Sequence, residues 1–196
     1  MGASPLLRGV FRDLRESWGL EDDGYVFEGG PGPIGRVDVF IFHPADDVPM
    51  TSFATIGMSA GELPTTPGPG NGGRAELRFA CRGWLDRSVE EAIARQLANL
   101  AVYPWLTGNQ VNWGHMIELD EDFPGFPGCD AIFVAGPLTP NGQDCIWIDD
   151  EPIRIMNVVP ITDAERAHAR RMRPGDFLEE LMANVDIFTS REPWSG

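Results

Sequence analysis

Acid–base chemistry needs an imidazole or carboxylate held beside a partner, and the chain has three histidines, His43, His115 and His168. His43 precedes a proline at the end of an apolar run, and His168 lies among Arg166, Arg170 and Arg171. Both read as surface histidines. His115, in Trp113-Gly114-His115-Met116, sits among strand residues beside an acidic segment and is the best candidate for a base. No nucleophile accompanies it: there is no G-x-S-x-G elbow, HExxH pair, phosphate loop or EF-hand. The expectation is that no residue is catalytic. The rival, an acid–base enzyme using His115, requires an open cleft with an Asp or Glu within hydrogen-bond reach of that ring.

Carboxylates cluster at Glu21-Asp22-Asp23, Glu118-Leu119-Asp120-Glu121-Asp122 and Asp149-Asp150-Glu151. Grouped oxygens can hold calcium or magnesium, but these runs lack the alternating spacing and turn glycine of a calcium loop. Cys81, Cys129 and Cys145 form no CxxC pair and have no zinc spacing, so idle thiols are expected. No metal and no cofactor is expected. The clusters read as charged surface that can meet a basic partner.

The charge supports that direction. Thirty acidic residues face fifteen basic ones, all arginine, for a net −15. Phosphates are repelled by such a surface, which argues against nucleic acid. A cationic protein is attracted and steered. No apolar run approaches the roughly 18 residues of a membrane span. The first residues, which mix Arg8, Arg12, Asp13, Arg15 and Glu16 with apolar positions, do not form a secretory signal. A cytoplasmic protein with no membrane association is expected.

The elements that must position these residues are legible from periodicity. Leu6, Leu7, Val10, Phe11, Leu14 and Trp18 recur at three and four, predicting an amphipathic helix from Ser4 to Trp18, ended by Gly19. Glu28 to Gly35 reads as a turn-rich loop. Strands are predicted at Val37–Phe42, Thr51–Met58 and Ala75–Cys81; in the last, Leu77 and Phe79 oppose Glu76 and Arg78. Leu63 to Gly73 is expected to be a mobile Pro/Gly-rich loop. Asp86 to Val102 predicts a helix with a Val89, Ile93, Leu97, Leu100 and Ala101 stripe, capped by Asp86 or Ser88 and stopped by Pro104. Further strands are expected at Val111–Leu119, Ala131–Ala135, Cys145–Ile148 and Ile153–Ile161, then helices at Thr162–Met172 and Gly175–Asn184. Trp105, Trp113 and Trp147 are expected in or beside the core. With 196 residues and 42% hydrophobic content the chain can bury a sizeable core. The expected architecture is a single α+β domain over residues 1–196: a mixed, mostly antiparallel sheet with helices packed against it.

Several segments, in order, resemble the Suppressor of fused (SUFU) domain family. Thr51-Ser52-Phe53-Ala54-Thr55-Ile56-Gly57-Met58-Ser59 resembles its strand with a Gly-hydrophobic-Ser ending. Glu76-Leu77-Arg78-Phe79 looks like its ELxF strand, and Leu97 to Tyr103 resembles the end of its central helix. Gly108 to Leu119 is similar to its glycine-led V-x-W strand, and Val158 to Thr162 to its VPI segment, with Asp163-Ala164-Glu165 as in bacterial members. The likeness runs from about Val37 to Asp186. It implies a SUFU-like, non-enzymatic protein-binding domain. Animal members restrain a transcription factor by clamping an extended peptide between two lobes; this chain resembles only the first lobe. Short bacterial members are commonly inferred to be immunity proteins that neutralise toxins, often basic nucleases.

The expected site combines both lines. Phe53 and Thr55 are carried over from the family's peptide-contacting strand, which makes Phe53 to Met58 the expected receiver of an added strand. Trp113 and His115 are expected at a recognition cleft. Glu118, Asp120, Glu121, Asp122, Asp149 and Asp150 are expected to steer a basic toxin. A regulatory or scaffolding role toward a cellular protein is the alternative, and oligomeric state is left open.

Overall fold

The computed structural model describes residues 4–64 and 73–191, so most of the expected Leu63–Gly73 loop lies outside the described residues. Strands β1 (Asp23–Glu28), β2 (Arg36–Phe42), β3 (Met50–Ile56), β4 (Arg74–Arg82), β5 (Met116–Glu118), β6 (Ala131–Ala135), β7 (Cys145–Ile148) and β8 (Glu151–Ile161) build one sheet. Its order is β1-β2-β3-β4-β8-β6-β5, with β7 also on β8. Every pairing is antiparallel except β4 with β8, which run parallel from Arg74↔Ile153 to Arg78↔Asn157. The long strand β8 makes this possible: β7 pairs with its first half and β6 with its second, both beside the edge opposite β4.

Helices cover both faces. On one, α2 (Arg87–Thr107) packs Ile93, Leu97 and Leu100 over Val39, Ile41, Phe53, Leu77 and Phe79. On the other, α1 (Pro5–Trp18) packs Val10 and Leu14 on Ala54, Ile56, Ile153 and Ile155. Farther along that second face, α3 (Asp163–Ala169) and α4 (Pro174–Asn184) cover Phe133, Val159 and Ile161 through Phe177 and Leu181. The period-two alternation of β2, β4, β6 and β8 supplies both cores at once.

The expected α+β, mostly antiparallel mixed sheet is therefore what forms. At α1 the helix signals hold: Ser4 accepts from Leu7 N at 3.3 Å, and Gly19 ends the helix at φ 89°. At α3 Thr162 and Glu165 form a reciprocal capping box.

Several expectations need correction. Pro104 does not stop α2, which continues to Thr107 and ends at Gly108 in the left-handed region. The proline forfeits one backbone bond, while the residues on either side of it, Tyr103 and Trp105, pack against the core. Asp86 is the cap residue of α2 but makes no side-chain cap bond. The expected strand Val111–Leu119 shrinks to Met116–Glu118, because the chain turns at Trp113–Gly114. Strand β1 was not expected at all. The polar face of β4 is not solvent-facing: Glu76 is 2% and Arg78 8% exposed. Trp147 and Trp84 stand largely in solvent.

Candidate partner-binding site

Strand β3 cannot receive another strand, since β2 and β4 occupy both its edges. Phe53 is fully buried against Phe79, with ring centroids 5.8 Å apart. Thr55 is equally closed off, and its hydroxyl has a structural task. Beyond Ala54↔Arg78 the β3–β4 ladder opens, and Thr55 Oγ1 fills the gap, accepting from Leu77 N at 2.8 Å and donating to Glu76 Oε2 at 2.7 Å. Glu76 Oε1 accepts from Gly57 N, Ser59 N and Ser59 Oγ at 2.9, 3.0 and 2.6 Å. Gly57 is required here: its φ is 138°, and a Cβ would lie 2.3 Å from Arg36 O. The Gly-Met-Ser and Glu-Leu-Arg-Phe segments are thus two halves of one buried clamp, not a peptide-contacting surface. Phe53 and Thr55 are removed from the expected docking site.

The other expected residues are dispersed. Trp113 donates its indole N–H to Ile155 O at 2.9 Å, and Arg154 lies over its ring. His115 is exposed, with Nδ1 2.9 Å from Gln110 O. Among the described residues the histidine–carboxylate pairs form at His43–Glu90 and His168–Glu180, not at His115. Glu118 is held by Arg166 and Arg170 at 2.6 and 3.1 Å. Asp122 accepts from Gly128 N and closes its own loop. Asp120 and Glu121 are exposed. Asp149 and Asp150 form the two-residue β7–β8 turn, with φ 49° and 66°. The Glu118 and Asp149 segments flank opposite ends of β8 and so lie roughly 30 Å apart, at about 3.3 Å per residue. They do not form one patch.

His43 is also not the surface histidine expected. Its Nε2 sits 2.9 Å from Glu90, whose side chain is 6% exposed, and its ring stacks on Trp84. The first carboxylate cluster is spent locally: Glu21 binds Arg15, Asp22 accepts from His43 N, and Asp23 accepts from Gly24 N. Among the described residues no three His, Cys, Asp or Glu side chains converge to hold a metal, and no helix is long and apolar enough to cross a membrane. Burial pushes the Cys81 and Cys129 thiols up to about 12 and about 11.

What remains open is backbone. β1 pairs only with β2 and leaves a six-residue free edge, longer than β5 or β7. Tyr25 and Phe27 anchor it in the α2-side core. On its other face Val26 is 55% exposed, opposite Asp38 of β2. Beside it an apolar cleft opens between α1 and β2, lined by Leu7, Phe11, Pro33, Phe40 and Ile56. An unpaired donor–acceptor edge next to an apolar cleft is the arrangement that accepts an extended segment. Sequence reading missed it because Asp23–Glu28 is short, half polar and glycine-containing, although Tyr25-Val26-Phe27 carried the signal.

Sheet order, clamp and edge together define an α+β domain whose first strand has one paired and one unpaired edge among the described residues. The sequence pattern of the Suppressor of fused protein (SUFU) family matches residues 35–191, and the chain belongs to that family. Membership is consistent with a protein-binding role. Three solved structures share the fold. One is a chain of the Sufu-Fu complex, 16% identical over 94% of this chain and 88% of that one, with a TM-score of 0.66. A SUFU homolog from Neisseria gonorrhoeae is 17% identical, covers 95% and 94%, and scores 0.68. Drosophila Suppressor of Fused is 15% identical and scores 0.64; 94% of this chain spans 48% of that protein. No curated protein sequence matches.

Proposed function

We propose that this chain is a non-enzymatic cytoplasmic binding protein that neutralises a basic toxin by adding an extended segment of it to the free edge of β1. One observation carries the reading: β1 offers the longest unpaired strand edge and has an apolar cleft alongside. Main-chain hydrogen bonds supply affinity there, and the cleft selects apolar side chains. The net charge of −15 supports a cationic partner. Steering needs no single acidic patch, so the separation of Asp120 and Glu121 from Asp149 and Asp150 does not oppose it. An endogenous regulated protein is the alternative partner, and the identity of what is captured decides between them.

The test is capture from the producing cell at low and high salt, with mass spectrometry, using the natural chain and Val26→Lys. A basic toxin retained by the former, released by salt and bound at least about tenfold more weakly by the variant is the expected result. Equal retention by both removes β1 as the receiver; salt-independent association removes the steering.

A further inference from the structure

Arg78 is buried, yet it is in none of the ion pairs among the described residues. Its guanidinium lies 4.6 Å from the Trp18 ring centre, and Nη2 donates to Gln143 Oε1 at 3.1 Å. Gln143 passes the contact on to Asp13 Oδ2 at 3.2 Å, so the nearest carboxylate is reached only through an amide. A buried cation without a direct counter-ion is an expensive arrangement. Burial holds this guanidinium down to about 10, with Asp13 opposing.

The space beside it is a groove. On the sheet face between α1 and the C-terminal segment, two depressions meet. One runs past Ser52, Ala80, Val159 and Phe188, the other past Ser17, Pro137, Thr139 and Gln143. Trp18, Arg78, Leu138 and Asn157 line both, which puts Arg78 at the midpoint. Asn157 Nδ2 donates to Gly136 O, and Arg78 is the one cation among the lining residues of the two depressions.

We infer that Arg78 is the anchor of a second peptide-binding groove, which takes an acidic side chain inside an extended segment of a partner protein. Charge complementarity selects the occupant. A guanidinium binds carboxylate through paired N–H donors. One cation between walls of mixed polar and apolar character suits a single negative charge, not a dianionic phosphate, in a molecule already at −15. Because the groove passes Arg78 on both sides, the carboxylate belongs to an internal residue and not to a chain end. A partner that is basic overall can still present one such side chain. This groove is separate from the β1 edge, so each reading can fail alone.

The test uses three pentapeptide probes on the full chain, read by Trp18 indole N–H shifts in NMR. The first is acetylated, amidated Leu-Phe-Glu-Phe-Leu; the second replaces Glu by Gln; the third carries its only carboxylate at the C-terminus. The Glu probe is expected to bind at least about tenfold tighter than the Gln probe and tighter than the third. Arg78→Met is expected to abolish the Glu-over-Gln preference, and Val26→Lys to leave it unchanged. Equal binding of Glu and Gln probes to the natural chain, or no binding at millimolar probe, overturns the proposal without relying on any variant. Tighter binding of the third probe overturns the choice of an internal residue.

Discussion

Glu76 and Arg78 stand two residues apart on the same face of β4, both buried, and their surroundings differ completely. Glu76 accepts four hydrogen bonds from Thr55, Gly57 and Ser59, all within the chain. Arg78 has one amide acceptor, one aromatic face and an open groove. A buried charge whose bonds are all satisfied internally tightens a fold and has nothing left for a ligand. A buried charge left half satisfied adds less to the fold and keeps directed bonding capacity for something else.

The sharpest way to break this contrast is to remove the clamp. Glu76→Ala removes the acceptor of four donors and is expected to lower unfolding stability by about 3–5 kcal/mol in urea titration. Glu76→Gln keeps an acceptor for them, so a smaller loss is expected. Burial raises the Glu76 pKa above its ordinary 4.5, although its hydrogen bonds pull the other way. For a carboxyl group raised in the fold, the stabilising contribution is complete below 4.5 and is lost as pH rises through the folded value. Stability profiles of the natural chain and Glu76→Gln should therefore diverge with pH across that window.

Glu165, whose two oxygens both accept hydrogen bonds, is a second satisfied charge and is expected to behave likewise. Arg191, 7% exposed, pairs with fully buried Glu165 at 2.9 Å. Arg191→Met should cost about 3 kcal/mol, because it leaves a buried carboxylate short of its partner. Arg78→Met, by contrast, is expected to change stability by no more than about 1 kcal/mol, since no carboxylate is orphaned by it. A loss as large as that of Glu76→Ala would place Arg78 in the framework and erase the distinction. The smallest effect is expected at the β7–β8 turn. Replacing Asp149-Asp150 by Asn-Gly should raise stability by about 0.5–1 kcal/mol, because both φ values are positive. A turn less favourable than it could be would then be what the two exposed carboxylates require.

Legibility varied with the range of the forces involved. Helix α1 and the Ala131–Ala135 strand could be read directly, because periodicity and capping act over a few residues. Pro104 misled because a helix interior tolerates proline when its neighbours Tyr103 and Trp105 pack against the core. Phe53 and Thr55 were placed in a receiving strand because a run such as Thr51–Met58 does not reveal how many neighbours it has. The acidic segments carried the right charge, but their spacing along the chain concealed that they flank opposite ends of β8.

The sequence by itself determined the mixed mostly antiparallel α+β architecture, the family and the strongly negative field, since each follows from local pattern or from summation over residues. Tertiary structure alone decided which strand keeps a free edge, which buried charge is satisfied, and that Arg78 looks into a groove. Those properties depend on which elements become neighbours, and the hydrogen bonds that settle them join residues far apart in the chain.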